Sequence, residues 1–98
     1  MDFRQTEGRI WAENGQGRVL AEVTFPTENG VAVIDHTFVD DSLRGQGVAG
    51  QLLEAAAAQL RAEGKRAVPT CSYAQRWFEQ HPEAGNLLRG AVDVPPES

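Results

Sequence analysis

Cysteine occurs once in 98 residues, at Cys71, so an internal disulfide is excluded. No apolar run approaches the roughly 20 residues of a membrane-spanning helix, which sets a spanning protein aside. The opening Met1-Asp2-Phe3-Arg4 does not read as a secretion signal either. Together these absences lead us to expect a cytoplasmic protein with no membrane partner. Positive charge is also scarce. Nine Lys and Arg face 14 Asp and Glu, a formal charge of −5, and the only adjacent basic pair is Lys65-Arg66. Nucleic-acid binding by counterion release normally needs a basic face or stripe, so no nucleic-acid partner is expected. An anionic ligand would have to be met by backbone amides rather than by the protein's overall field.

The chain is too short for several architectures as well. A closed α/β barrel or a doubly wound sheet needs roughly twice as much chain. With 41% hydrophobic residues, it can bury about two-thirds of its unfolded surface, enough for one core without metal or disulfide staples. Residues 1–88 form the expected domain, and 89–98, with Pro95-Pro96, read as a flexible C-terminal tail.

Periodicity orders the elements. Ile10 and Ala12 oppose Arg9, Trp11 and Glu13, and Val19, Ala21, Val23 and Phe25 alternate with Arg18, Leu20, Glu22 and Thr24. Both runs have the period of half-buried strands. After the turn signal Glu28-Asn29-Gly30, the run Val31 to Val39 is apolar on both faces at first, which suits a strand in the middle of the sheet. These three runs are expected to form an antiparallel meander. A helix begins near Gly47, with Val48, Leu52, Ala56 and Leu60 on one stripe, and stops at Glu63-Gly64. Arg66 to Cys71 returns as a parallel strand in which Pro69 marks an edge or the end of pairing. Tyr73 to Gln80 is a short aromatic helix closed by His81-Pro82. The fold class is therefore α/β, a mixed sheet with one long and one short helix.

The informative stretch lies between the Val31–Val39 run and the long helix: Asp40-Asp41-Ser42-Leu43-Arg44-Gly45-Gln46-Gly47-Val48-Ala49-Gly50. It is a strand, a glycine-bearing loop and a helix N-terminus, where unsatisfied N–H groups and a positive dipole end suit a phosphate or pyrophosphate. A tight turn whose glycines only permit an awkward backbone is the plainer alternative. A Walker A loop is excluded because Gly-Lys-Ser/Thr is absent. Gly45 to Gly50 matches the dinucleotide pattern, but no acid follows at the end of the next strand, Val68-Pro69-Thr70-Cys71-Ser72, and the chain is too short for that fold.

Arg44-Gly45-Gln46-Gly47-Val48-Ala49 resembles the Q/R-x-x-G-x-G/A loop of the GNAT superfamily of N-acetyltransferases. The order of elements is similar to the GNAT core. The phrases Asp35 to Val39, Leu43 to Gly47, Cys71-Ser72-Tyr73 and His81-Pro82-Glu83 resemble its minimal YjdJ-type branch. The resemblance spans roughly Gly8 to Leu88. It implies acetyl-CoA as co-substrate and no metal. It makes Arg44, Gly45, Gln46, Gly47, Val48 and Ala49 a pyrophosphate cradle, with the amides of Gln46 to Ala49 as donors. It also implies that Phe38 and Val39 pair with the pantetheine arm, which enters a gap between two splayed parallel strands.

Acetyl transfer to an amine requires the ammonium to lose a proton, the thioester oxygen to meet a donor, and the departing thiolate to gain a proton. His36 is the base candidate, on a face expected to be shared with Ile34 and Phe38; packing is its other role. Asp40 and Asp41 are expected to cap a helix start or favour its dipole. The resemblance sets Phe78 where a tyrosine often protonates the thiolate, which leaves Tyr73 as the nearest hydroxyl in sequence. Cys71, at the mouth of the splayed strands, is a candidate acyl acceptor or a donor beside the thioester; a small buried hydrophobe is the alternative. The expected activity is acetyl transfer to a small-molecule or protein amine, by a monomer or weak homodimer. The alternative is an acyl-CoA or CoA binding or sensing module without turnover, which Phe38 and Phe78 favour.

Overall fold

The computed structural model describes residues 2–89. β1 (Arg4–Thr6) and β2 (Arg9–Glu13) form a hairpin, and β3 (Val19–Thr24) pairs antiparallel with β2. β4 (Thr27–Glu28) and β5 (Val31–Ile34) make a second hairpin across Asn29-Gly30. Both turn residues have positive φ, 54° and 77°, which matches the twist of a tight hairpin. β6 (His36–Val39) follows, and then α1 (Val48–Glu63), β7 (Arg66–Pro69) and α2 (Ser72–Gln80). A 3-10 stretch over Pro82–Leu87 follows α2.

The strands form two sheets, ordered β1-β2-β3-β6 and β4-β5-β7. The expected antiparallel meander is present as β2, β3 and β6, and β5 runs parallel to β7 as expected. The run Val31–Val39 is not one central strand. It breaks at Asp35, so that β5 is the middle strand of one sheet and β6 an edge of the other. The cause is a β-bulge: His36 is paired with Thr24, and the Asp35 amide also donates to the Thr24 carbonyl at 3.3 Å. Two residues oppose one, and the pleat changes phase. His36 therefore does not share the buried face of Ile34; Asp35, His36 and Phe38 are exposed, whereas Ile34 is buried.

The core lies between the four-stranded sheet and α1. Ile10, Ala21, Val23 and Phe25 are fully buried, and α1 contributes Val48, Leu52, Leu53, Ala56, Ala57 and Leu60. Gly47 and Gly64 bound α1, both left-handed, at φ 71° and 67°. α2 buries Ala74, Trp77 and Phe78, and the two aromatic rings meet edge to face at 5.1 Å. The Pro82–Leu87 stretch adds Ala84 and Leu87 to the same core.

The β5–β7 ladder runs from Val31↔Arg66 to Ile34↔Pro69 and stops there. The Arg66 and Thr70 amides donate to the Gly30 and Ile34 carbonyls, both at 3.0 Å. Pro69 between them turns its missing N–H away from β5, as suits an edge strand, and β7 ends at Pro69 rather than at Cys71. Beyond this point no strand pairing joins β6 to the described chain after β7. Of the expected tail, Arg89 still belongs to the fold, since its amide donates to the Ala67 carbonyl at 2.9 Å; positions 90–98 lie outside the described residues. Among the described residues, no helix is long and apolar enough to cross a membrane.

Candidate functional site

The chain leaves β6 through Asp40, which caps a 3-10 turn over Asp41–Leu43. Asp40 Oδ2 accepts from the Ser42 amide at 3.0 Å and its hydroxyl at 2.7 Å, and Arg18 donates to Oδ1 at 2.8 Å. The Ser42 hydrogen bonds, with help from Arg18, hold the Asp40 carboxyl below its ordinary value. The expected acidic cap thus serves the 3-10 turn and not α1.

α1 itself begins without a side-chain cap and without an acid in its first turn. Its first intrahelical bond runs from the Gln51 amide to the Gly47 carbonyl, 3.1 Å. The amides of Val48, Ala49 and Gly50 precede that bond and sit at the positive end of the helix dipole. Gly47 and Gly45 reach this geometry with φ of 71° and 80°; a β-carbon at either would meet no atom within 4 Å. Their glycines are required by backbone conformation rather than by crowding. The Gln46 amide, expected among the donors, is turned to the Leu43 carbonyl at 3.4 Å.

This helix start opens on a cleft of about 400 Å³ whose lining includes Arg44, Gly45, Gly47, Val48, Ala49 and Tyr73. A second cleft, about 390 Å³, is lined by Arg18, Thr37, Phe38, Val39, Asp40, Asp41, Arg44 and Tyr73. Val39, Arg44 and Tyr73 line both, so the two clefts adjoin between the loop and β6. All the expected cofactor-binding residues except Gln46 line one or both of them. Arg44 pairs with Asp41 at 2.9 Å, an exposed contact from which a stronger anion can draw it.

β6 presents one edge to β3, and among the described residues no strand pairs with its other edge. The Asp40 amide bonds the Leu20 carbonyl at 2.7 Å in the register that pairs Phe38 with Glu22 and His36 with Thr24. Backbone hydrogen bonding alternates along an antiparallel strand, so Phe38 turns its N–H and C=O to β3 while Thr37 and Val39 turn theirs to the open side. An arm lying against this edge would therefore meet the backbones of Thr37 and Val39. Phe38 reaches the cleft through its ring, one of the exposed large hydrophobics with Tyr73. Sequence reasoning missed Thr37; the period of two, combined with the identity of the neighbouring strand, is the signal that finds it.

The other candidates are dispersed. His36 is on the outer sheet face, its Nε2 3.8 Å from Glu22 Oε1, and Glu22 also accepts from Arg9, which lies 4.0 Å over the Trp11 ring. Thr37 pairs with buried Val23 on the opposite, helix-facing side. Cys71, at the N-terminus of α2, lies there too, with Sγ 3.4 Å from Thr37 Oγ1. The structure thus separates His36 from Cys71 across β6, and neither lines the two clefts. Tyr73 lines both and is 51% exposed. Phe78 is buried against Trp77. Lys65-Arg66 lies just past the far end of α1, about 24 Å from its start at a rise of 1.5 Å per residue.

The sequence model of the GCN5-related N-acetyl-transferase family matches residues 9–87. Among solved structures, the chain is similar to a GCN5-like protein from Staphylococcus aureus, with 28% identity over 99% of this chain and 96% of that one, at a TM-score of 0.75. It is also similar to a GNAT family acetyltransferase from Brucella melitensis solved in complex with acetyl-CoA: 28% identity, 70% of this chain, 50% of that one, TM-score 0.55. Escherichia coli YhbS, solved with CoA, shares the fold at 24% identity over 70% of this chain and 43% of that one, TM-score 0.58. The chain thus spans nearly all of the first protein and about half or less of the other two. No protein of curated function matches the sequence.

Proposed function

The chain belongs to the GCN5-related N-acetyltransferase family, and from that premise we propose that it binds acetyl-CoA and transfers the acetyl group to an amine. The observation that carries this reading is the uncapped start of α1, which opens on the cleft that Arg44, Gly45, Gly47, Val48 and Ala49 line. Two phosphates there would accept from the amides of Val48, Ala49 and Gly50, with the Arg44 guanidinium beside them. The acetyl-CoA and CoA complexes of the Brucella and Escherichia proteins support the same ligand class. The pantetheine arm would follow the open edge of β6 and meet the backbones of Val39 and Thr37. Residues 1–88 are the unit that would carry this function.

In the transfer step, the amine nitrogen attacks the thioester carbon, the C–N bond forms, the C–S bond breaks and CoA leaves as the thiolate. The amine gives up a proton and the thiolate takes one. Tyr73, exposed in the cleft, would supply the thiolate's proton, and Cys71 would act on the thioester only from behind Thr37. His36 would serve as base only for an amine approaching over the outer sheet face. Calorimetry with CoA, together with thiol release from acetyl-CoA over a panel of amines, tests this reading. CoA binding with amine-dependent release is expected. Binding without release would identify a CoA-binding or sensing module, a reading favoured by the buried Phe78 and by His36 lining neither cleft. Absence of CoA binding would refute both.

A further inference from the structure

We infer that Thr37, backed by Cys71, is the end-stop of the cleft and restricts the acyl group to a short one. This rests on the proposed path of the pantetheine arm and extends it to acyl-chain selectivity. The last rung between β5 and the far strand is saturated: the Ile34 carbonyl accepts from the Thr70 amide at 3.0 Å, the Cys71 amide at 3.3 Å and the Thr70 hydroxyl at 3.3 Å. Nothing can enter between the strands below that point. Immediately above it, Thr37 Oγ1 and Cys71 Sγ touch at 3.4 Å, and this contact bridges β6 and the chain after β7. The cleft reaches Thr37 and does not extend to Cys71 behind it.

From Val39 back to Thr37, β6 covers about 7 Å at a rise of 3.3–3.4 Å per residue. An arm with two amide units anchored at the loop therefore brings its thioester to this wall. A two-carbon acyl group stops against the Thr37 methyl and hydroxyl, and each further methylene must displace the Thr37–Cys71 contact. Thr37 is here a specificity-determining residue, and its effect is steric.

Calorimetric titration with CoA, acetyl-CoA and butyryl-CoA reads this without knowledge of the acceptor. The wild type should bind acetyl-CoA at least about 10-fold more tightly than butyryl-CoA, the discrimination typical of surplus methylenes in a closed pocket. Thr37→Ala should reduce that ratio to within about threefold, less than one methylene's usual discrimination. Thr37→Val keeps the shape and removes the hydroxyl, so it should preserve the wild-type ratio. If Thr37→Ala does not fold, Cys71→Ala carries the same expectation, because it opens the space behind the threonine. A wild type that binds both acyl-CoAs equally, or a ratio unchanged in the alanine variants, overturns the end-stop while leaving the CoA loop intact. A wild type that binds no CoA overturns the loop reading and the end-stop with it.

Discussion

Replacing Gly47 by glutamate probes the proposed anion site more sharply than any other single change. Gly47 sits at φ 71°, ψ 20°, with open space where its β-carbon would stand. A side chain there costs the fold about 1–2 kcal/mol of left-handed strain, and a carboxylate near the α1 N-terminus returns about 0.3–1 kcal/mol through the helix dipole. The variant should therefore fold, with a modest loss measurable in urea. Ligand binding should suffer more. The carboxylate competes for the amides of Val48, Ala49 and Gly50 and repels the phosphates, so CoA should bind at least about 2 kcal/mol more weakly, or ~30-fold. Gly47→Ala supplies the control. It carries the same strain without the charge and meets no atom within 4 Å, so its CoA affinity should stay within about threefold of wild type. Calorimetry at fixed salt reads both. An unchanged dissociation constant in Gly47→Glu would remove this helix start from the binding site.

Other expectations are independent of that one. Arg44→Ala, which breaks only an exposed pair with Asp41, should leave stability within about 0.5 kcal/mol yet weaken CoA binding and flatten its salt dependence. Asp40 has a lowered folded value, so it contributes stability above its unfolded value near 3.8, and that contribution is lost as pH falls through the lowered folded value. Asp40→Asn should accordingly lose stability at neutral pH but little at pH values below both, as read by urea midpoints across an acid series. Tyr73→Phe should slow amine-dependent thiol release by about 10²-fold or more without changing CoA affinity; equal rates would dismiss it as the proton donor. Mass spectrometry after incubation with acetyl-CoA should show any acyl label on Cys71 vanish in Cys71→Ala, and a label that persists there rejects this thiol as acceptor.

Much of the frame was legible because its signals are local. Gly47 and Gly64 bracket α1, and the 3.6-residue stripe between them is unambiguous. Alternation in β2 and β3 gave their buried faces, and Pro69 lies in a strand at a sheet edge, where its missing N–H is tolerated. The loop could be read because glycine, arginine and a helix start coincide in a short span. The bulge at Asp35 could not, since no Gly or Pro marks it and Val31–Val39 has the composition of one uninterrupted strand. That one residue changed the phase of everything after it, which moved His36 to the outer face and left Thr37 facing Cys71. β1 and β4 were missed because three and two residues are too few to show a period. Contacts between distant segments, such as Thr37 with Cys71, depend on tertiary pairing that no local pattern encodes.

The central claim concerns backbone amides, and amide NMR addresses it directly. On titration with CoA to saturation, the resonances of Val48, Ala49 and Gly50 are expected to shift most, because their N–H groups take on charged acceptors. Those of the far end of α1, around Leu60 and Glu63, should stay in place. Saturation with those first-turn amides unmoved would contradict the account.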